Sequence, residues 1–335
     1  MVETRTQGDT RQAGGKGRVA VVGTGSWGTT LAILAARQGL QVSLVARSED
    51  EAREMREAGE NSRFMPGYPF PPGLTPTPDM ERALSGIDML LMVVPSQTMR
   101  ANARALKPYL RSGTIVVSCA KGLELHTLLR MTEVLAQELG EEHARSLAAL
   151  SGPNLAKEIV AGKAATTVIA SRDLDVARRA QELLTGGRFR VYTNPDVTGV
   201  EFGGALKNII ALAAGMADGI RAGDSAKAAI ITRGLVEIGR LGMAAGASLF
   251  TFAGLAGLGD LIATCASPLS RNRTMGELLA QGKATDEVRA IMHGQVAEGV
   301  TTTAAARELA ARYEVEMPIT EQLYRVLFEG TDLMT

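Results

Sequence analysis

Residues 23–28 read Gly-Thr-Gly-Ser-Trp-Gly, set between a short apolar run, Arg18 to Val22, and a helical pattern from Ser26 to Gln38 closed by Gly39. No other feature of the chain narrows the fold as far. A GxGxxG string alone is a weak signal, but between a first strand and a first helix each glycine has a physical task. The first makes the tight turn, the second lets backbone amides approach a pyrophosphate, and the third allows close packing of helix on strand. Gly23, Gly25 and Gly28, with Ser26 and Trp27 between them, are therefore candidate dinucleotide-binding residues. A second β-branched run, Val42 to Val45, completes a β-α-β unit.

Strand patterns recur at Ile87 to Val94, Thr114 to Ser118, Leu147 to Leu150, Thr166 to Ala170 and Phe189 to Tyr192, most of them separated by helical stretches. Continuous Val, Ile and Leu segments alternating with helices predict an α/β Rossmann-type N-terminal domain with a mostly parallel sheet covered on both faces. The Pro-rich stretch from Met65 to Pro78 is expected to be the one long irregular insertion. After Asn194-Pro195 the strand signals stop. Ala, Gly, Leu and Ile then recur at helical spacing in Val197 to Met216, Ala226 to Ala245, Met275 to Gln281, Thr301 to Arg312 and Pro318 to Phe328. An all-α C-terminal domain is expected, with Asn194 as N-cap and Pro195 in the first helical position. The predicted units are a disordered tail at 1–17, a dinucleotide domain at 18–194 and a substrate domain at 195–335.

Among the 335 residues, 36 basic side chains balance 36 acidic ones. A neutral chain lacks the electrostatic footprint that nucleic acid or an anionic membrane demands, so a small-molecule partner is expected. Cys119 and Cys265 cannot build a disulfide framework and read as core residues, which suits the cytoplasm. His126, His143 and His293 are scattered singly, and no metal site is expected. No uninterrupted apolar run approaches the roughly 20 residues that cross a bilayer. Residues 1–17 have no apolar core of the kind a secretory signal carries. The apolar helices of the second domain make a homodimer the expected assembly.

The second strand runs into Val45-Ala46-Arg47, where an NAD-specific enzyme usually places an acid on the ribose hydroxyls. No acid follows the strand directly. The Arg47 guanidinium suits a 2′-phosphate, which favours NADPH over NADH, although an arginine here could also be a solvated surface residue.

The combined motifs resemble those of the bacterial NAD(P)-dependent glycerol-3-phosphate dehydrogenases. The resemblance runs from about Arg18 to the C-terminus and rests on GTGSWGTTLA (23–32), NSRFMPG (61–67), VVPSQ (93–97), SCAKGLE (118–124), SGPNLAKEI (151–159), EFGGALKNIIALAAGMADG (201–219), GLGDLIATC (257–265), SRNRTMG (270–276) and GQVAEG (294–299). It implies reversible reduction of dihydroxyacetone phosphate to sn-glycerol 3-phosphate, a phospholipid precursor, by NADH or NADPH. Ketopantoate and 3-hydroxyacid reductases share the two-domain layout, and a non-catalytic dinucleotide sensor is a further alternative. The phosphate-type motif at 270–272 and the retained Lys207 speak against them.

Hydride addition to a ketone leaves negative charge on oxygen, so a metal-free site needs a proton donor such as lysine, histidine or tyrosine. Lys207 is the candidate, a single cation in the nearly uncharged segment Phe202 to Ile210, with Gly203 one turn earlier expected to leave space for a ligand. By resemblance it is the catalytic acid/base. Desolvation and a cationic neighbour would lower its pKa. Lys121 follows a strand at the edge where such sheets bind ligands, and could hold substrate phosphate or orient the carbonyl; by resemblance it contacts substrate and cofactor. Gly152 and Asn154 lie where a strand turns into a helix, and the family commonly has Ser at the position of Asn154. Ala156 matches a cofactor-contacting position. Ser270, Arg271 and Asn272 read as an N-cap and first helical turn that offers amides, a dipole and a guanidinium to a phosphate. Asp260 is the single acid of an apolar segment; by resemblance it lines the substrate pocket, and it could equally be a buried salt-bridge partner. Val296 and Glu298 match cofactor positions of the family, while Glu298 as a residue type reads as a solvated carboxylate.

Overall fold

A computed structural model of the chain describes residues 17–292 and 297–332. Eight strands form one sheet: β1 (Arg18–Val22), β2 (Gln41–Val45), β3 (Leu74–Thr77), β4 (Met89–Met92), β5 (Ile115–Ser118), β6 (Leu147–Ser151), β7 (Ala165–Ala170) and β8 (Phe189–Asn194). Their order is β3-β2-β1-β4-β5-β6-β7-β8, and every neighbouring pair is parallel except β6 with β7. Strand order reverses at β1, where β2 lies on one side and β4 on the other, both parallel to it. A crevice at the carboxyl ends of the strands opens at such a switch point.

Side chains alternate across each strand. Val19 and Val21 enter one core together with Leu31, Leu44 and Leu91, while Ala20 and Val22 enter the other with Leu90, Met92 and Val116. Both faces are dry, which is why the strands read as unbroken apolar runs instead of alternating ones. The Pro-rich insertion contains structure that the sequence pattern hides: Leu74–Thr77 pairs with β2 as an edge strand. Pro76 is tolerated because an edge strand has one row of unpaired backbone groups, so a residue without an N–H costs nothing there.

From Val197 onward the described chain is helical. The central helix Val197–Gly219 is surrounded by Asp224–Ala244, Asp260–Ala266, Arg271–Ala280 and Glu298–Arg312. It is long and apolar enough to span a bilayer, yet it is the buried axis of this bundle. Its start differs from expectation. Asn194 is the last residue of β8, paired with Ala170, and Asp196 is the N-cap, its carboxylate accepting from the Gly199 N–H at 2.8 Å. Asn194 instead accepts from the Asp196 N–H at 2.8 Å, so both side chains compete for helix-start duty and the sheet claims the first.

The Arg271–Ala280 helix begins four residues earlier than periodicity suggested, because its first turn is polar and carries no apolar signal. A π-helical turn, Leu255–Gly259, and the Asp260–Ala266 helix lie in a stretch whose three glycines, Gly254, Gly257 and Gly259, mask helical periodicity. Small residues set the closest crossing in the bundle. A Cβ on Gly215 would lie 2.0 Å from the Arg273 carbonyl oxygen, and one on Gly276 would lie 2.1 Å from that of Leu212. Backbone therefore packs on backbone where the Arg271–Ala280 helix meets the central helix.

Candidate active site

Each glycine of the first turn plays a separate role. Gly23 has φ +116°, and a Cβ there would lie 2.4 Å from the Val93 carbonyl oxygen; a Cβ on Gly28 would lie 1.9 Å from the Gly23 carbonyl oxygen. Those two are required by the protein itself. Gly25 is different: its φ is an ordinary −64°, and a Cβ would meet nothing within 4 Å. Open space beside a helix-opening glycine is what backbone approach by an external pyrophosphate needs, and the residues present fit a dinucleotide. Ser26 and Trp27 form the first turn of the helix. The Ser26 hydroxyl donates to the Phe64 carbonyl at 3.2 Å, and the Trp27 indole packs edge-on to Phe189 at 6.4 Å, within the sheet core. What these two residues leave for an anion is the helix-start amides.

At the end of β2 the expectation that no acid stands beside Arg47 is corrected. The Glu51 carboxylate accepts from the Arg47 N–H at 2.8 Å, from Arg47 Nε at 3.3 Å and Nη2 at 3.1 Å, and from the Thr24 hydroxyl at 2.7 Å. An acid does stand at this position, supplied from the first turn of the Glu49–Ala58 helix instead of from the strand. Arg47 remains solvent-exposed. Burial acts to raise the Glu51 pKa, but Arg47 and Thr24 outweigh it and hold the carboxyl below its ordinary range.

Across the sheet, two lysines converge on one carboxylate. Lys207 Nζ lies 2.5 Å from Asp260 Oδ1, and Lys121 Nζ lies 2.6 Å from Asp260 Oδ2. Lys207 also donates to the Thr264 hydroxyl at 2.5 Å, and that hydroxyl donates to the Asp260 carbonyl at 2.6 Å. Lys121 completes its shell on the Gly152 carbonyl at 2.9 Å, and the Ser151 hydroxyl donates to Asp260 at 3.4 Å. Lys121 follows β5, Gly152 follows β6, and Lys207 and Asp260 come from two helices of the bundle, so the group is assembled at the junction of sheet and bundle. Lys207 and Asp260 are almost fully buried. Burial pulls the Lys207 pKa down to about 8, with Lys121 adding to the effect and Asp260 opposing it. For Asp260, burial acts upward, but the two ammonium groups outweigh it and keep the carboxyl below the ordinary range.

Gly203 does not open ligand space. A Cβ there would lie 2.4 Å from the Ala256 carbonyl oxygen, so that face of the helix is filled by the π-helical turn. Gly204 is the glycine that faces Lys121, with the Ser151 hydroxyl 2.5 Å and Lys121 Cγ 3.5 Å from its Cβ position.

One hydrogen-bonded thread connects this group to the next. Asn208 donates to the Lys121 carbonyl at 2.9 Å and accepts from Asn272 Nδ2 at 2.8 Å, and Asn272 Oδ1 accepts from the Gly299 N–H at 2.9 Å. Ser270 is the N-cap of its helix, its hydroxyl accepting from the Arg273 N–H at 3.3 Å. The first-turn amides of Arg271 and Asn272 have no acceptor within the helix, and Arg271 is an exposed residue at that turn. Crowding by protein lowers the Arg271 pKa and the nearby Glu298 raises it.

Several predicted residues are engaged elsewhere. The Asn272 side chain is spent on Asn208 and Gly299, which leaves its amide for a ligand. The Asn154 side chain donates to the Thr166 carbonyl at 3.1 Å and accepts from the Thr167 hydroxyl at 2.9 Å, so it braces β7. Ala156 opens a short helix and accepts from Thr30 at 3.4 Å. Glu298 is not solvated: one carboxylate oxygen accepts from the Ser96 N–H at 3.0 Å, and the other is buried with no partner in a gap that a Cβ on Gly122 would fill. Burial raises its pKa, against the pull of Ser96 and Arg271. Val296 lies outside the described residues. Thr264, Asn208, Ser151, Ser96 and Glu51 are functional neighbours that sequence reasoning missed. Thr264 carried a signal, being one helical turn after Asp260, and so did Asn208, adjacent to Lys207. A cavity of about 810 Å³ lined by Ala304, Arg307, Met317 and Tyr324 contains none of these groups.

Residues 18–177 match the family model for the NAD-dependent glycerol-3-phosphate dehydrogenase N-terminus, and residues 196–335 match the model for its C-terminus. The chain is 50% identical over 315 residues to the glycerol-3-phosphate dehydrogenase, NAD(P)+, of Moorella thermoacetica, covering 94% of this chain and 92% of that protein. It is 51% identical over 312 residues to that of Geobacter sulfurreducens, covering 93% of each. The crystal structure of glycerol-3-phosphate dehydrogenase from Coxiella burnetii superposes with a TM-score of 0.89 at 40% identity, over 95% of this chain and 96% of that one.

Proposed function

The chain belongs to the NAD-dependent glycerol-3-phosphate dehydrogenase family, and on that premise we propose which of its residues carry the reaction. It is an NAD(P)-dependent oxidoreductase that reduces dihydroxyacetone phosphate to sn-glycerol 3-phosphate, reversibly, and so supplies the glycerophospholipid backbone. The bound nicotinamide supplies or receives the hydride. Lys207 holds the proton that the substrate oxygen needs as charge develops there, and takes it back in oxidation. Asp260 and Thr264 fix the ammonium in place, which lowers the cost of ordering it in the transition state. Lys121 adds a second positive charge beside the developing oxyanion. Arg271 and the first-turn amides of its helix receive the phosphate, and Ser270 shapes that turn as N-cap. Gly23, Gly25, Ser26, Trp27 and Gly28 receive the pyrophosphate; Glu298, with Ser96, faces the nicotinamide side.

One observation carries this reading. The Asn208–Asn272 hydrogen bond joins the residue after Lys207 to the residue after Arg271, so proton donor and phosphate receptor are held one residue to either side of a single 2.8 Å contact. A ketone whose neighbouring carbon bears a phosphate would offer its oxygen to the one and its phosphate to the other. Oxidation of NADPH, followed by its absorbance, should be rapid with dihydroxyacetone phosphate and weak with dihydroxyacetone. Equal rates with both substrates would remove the phosphate role from the Arg271 turn.

The division of the chain near residue 195, a cytoplasmic location and a homodimer belong to the same proposal. Self-association is supported by Leu249 and Phe250, which stand exposed side by side at the start of a short helix, Phe250 at 88%. Light scattering on the wild type and on Phe250→Ser tests it, since a dimer through this surface should dissociate in the variant.

A further inference from the structure

We propose that Glu51 is the residue that sets cofactor discrimination, and that it forms with Arg47 a net-neutral reader that admits both a ribose diol and a ribose 2′-phosphate. The inference rests on the dehydrogenase reading above and concerns only the adenosine end of its cofactor site.

The geometry places Glu51 where the discrimination is made. In a doubly wound sheet the adenosine ribose lies between the glycine-rich turn and the end of the second strand. The Glu51 carboxylate touches both at once, through the Thr24 hydroxyl in the turn and the Arg47 N–H just past β2. Its place in the chain also departs from the ordinary pattern. Ser48 caps the Glu49–Ala58 helix by accepting from the Glu51 N–H, and a capping box would turn the Glu51 side chain back to the N–H of Ser48. Here it reaches one residue further, to Arg47, and so stands at the strand end.

Charge then decides what can bind. A carboxylate alone accepts a ribose hydroxyl and repels a 2′-phosphate; a guanidinium alone does the reverse. With the two paired, a diol can take up a carboxylate lone pair while Arg47 stays on Glu51. A 2′-phosphate can draw the exposed Arg47 guanidinium away, at the cost of breaking the pair and of standing near the remaining carboxylate. Glu51 would keep its bonds to Thr24 and to the Arg47 N–H in both cases, so the turn is not disturbed. The pair thus limits NADPH preference instead of abolishing NADH use.

Direct binding tests this without turnover. Calorimetry with 2′-phospho-ADP-ribose and ADP-ribose, both lacking the nicotinamide, is compared for the wild type and Glu51→Gln. Glutamine can accept the Arg47 N–H on its carbonyl oxygen and donate its amide N–H to the Thr24 hydroxyl, so the fold is expected to persist. The ratio of the two affinities should shift toward the 2′-phosphate ligand by about tenfold, as expected for removing one like charge at close range in a hydrated site. Arg47→Gln should shift the same ratio the other way, with both shifts shrinking as salt is raised. An unchanged ratio in Glu51→Gln, or equal weakening of both ligands, would overturn the proposal. If Glu51→Gln proves unstable, Glu51→Asp serves instead, since it keeps the charge but withdraws it from the strand end, and the same directional shift is required. Turnover of dihydroxyacetone phosphate by the wild type is measured separately, so loss of the dehydrogenase reading is distinguishable from loss of this one.

Discussion

Lys207 shows how one residue acquires its chemistry from its surroundings. Its ammonium is buried, which favours the neutral amine, while Asp260 beside it favours the charged form; the balance leaves a pKa of about 8. In the proposed mechanism ketone reduction uses the protonated lysine, which is present below that value and lost as pH rises through it. The rate of reduction should therefore fall, and the rate of glycerol 3-phosphate oxidation rise, across the same interval, and pH profiles of kcat in both directions check this. Removing the carboxylate in Asp260→Asn takes away the group that raises the lysine pKa, so the profile should move to lower pH. The same change leaves two lysines without their shared counter-ion and should cost about 3–5 kcal/mol of stability, measured by urea denaturation. Lys207→Ala should lower kcat by about 10²–10⁴-fold while cofactor binding persists. Most of this site was legible residue by residue: a lone lysine and a lone aspartate in apolar segments are expensive to bury without purpose. The side-chain partners of Asn154 and Asn272 were not legible, because an amide that can bind a ligand can equally bind the protein, and here both side chains bond to neighbouring elements.

At the scale of elements, glycines separate what the fold needs from what the ligand needs. Gly25→Ala meets no atom of the protein, so its thermal unfolding should match the wild type, yet a methyl group would stand where the pyrophosphate approaches. Its KM for the cofactor should rise by about tenfold or more, a loss of about 1.4 kcal/mol. Gly276→Ala is the contrasting case, since its Cβ would lie 2.1 Å from the Leu212 carbonyl oxygen. Overpacking should cost about 1–3 kcal/mol. It should also raise KM for dihydroxyacetone phosphate, because the turn proposed to receive the phosphate moves with its helix. Steady-state kinetics beside thermal denaturation distinguishes the two variants. The strands and long helices were readable from their runs and periods. The edge strand β3, the Asp196 cap and the polar start of the Arg271–Ala280 helix were not, because each depends on a partner distant in sequence or on a turn with no apolar stripe.

Across the whole molecule, sheet and bundle are joined by buried polar contacts. Arg130 donates to Glu201 at 2.7 Å, and Thr132 donates to the same carboxylate through its N–H at 2.8 Å and its hydroxyl at 2.6 Å. The Lys121–Asp260 pair and the Ser96–Glu298 contact cross the same junction. Burial raises the Glu201 pKa while Arg130 and Thr132 lower it, so the carboxylate relies on its partners. Arg130→Ala should cost about 3–5 kcal/mol, read from the urea midpoint, because it strands a buried carboxylate. The sequence by itself determined the Rossmann-type class, the change to helices near residue 195, the glycine turn and the identity of the lysines, arginine and aspartate. Those follow from periodicity, from the cost of burying charge and from a helix-start motif, all of which are local, and for the parts given to Lys121 and Asp260 from the family resemblance. Only the tertiary structure decided that both lysines share Asp260, that Gly204 and not Gly203 faces Lys121, and that Glu51 rather than a strand residue supplies the acid beside Arg47. These are matters of which side chains meet across the fold, and contact between residues 139 or 202 positions apart, as for Lys121 with Asp260 and Ser96 with Glu298, leaves no trace in local pattern.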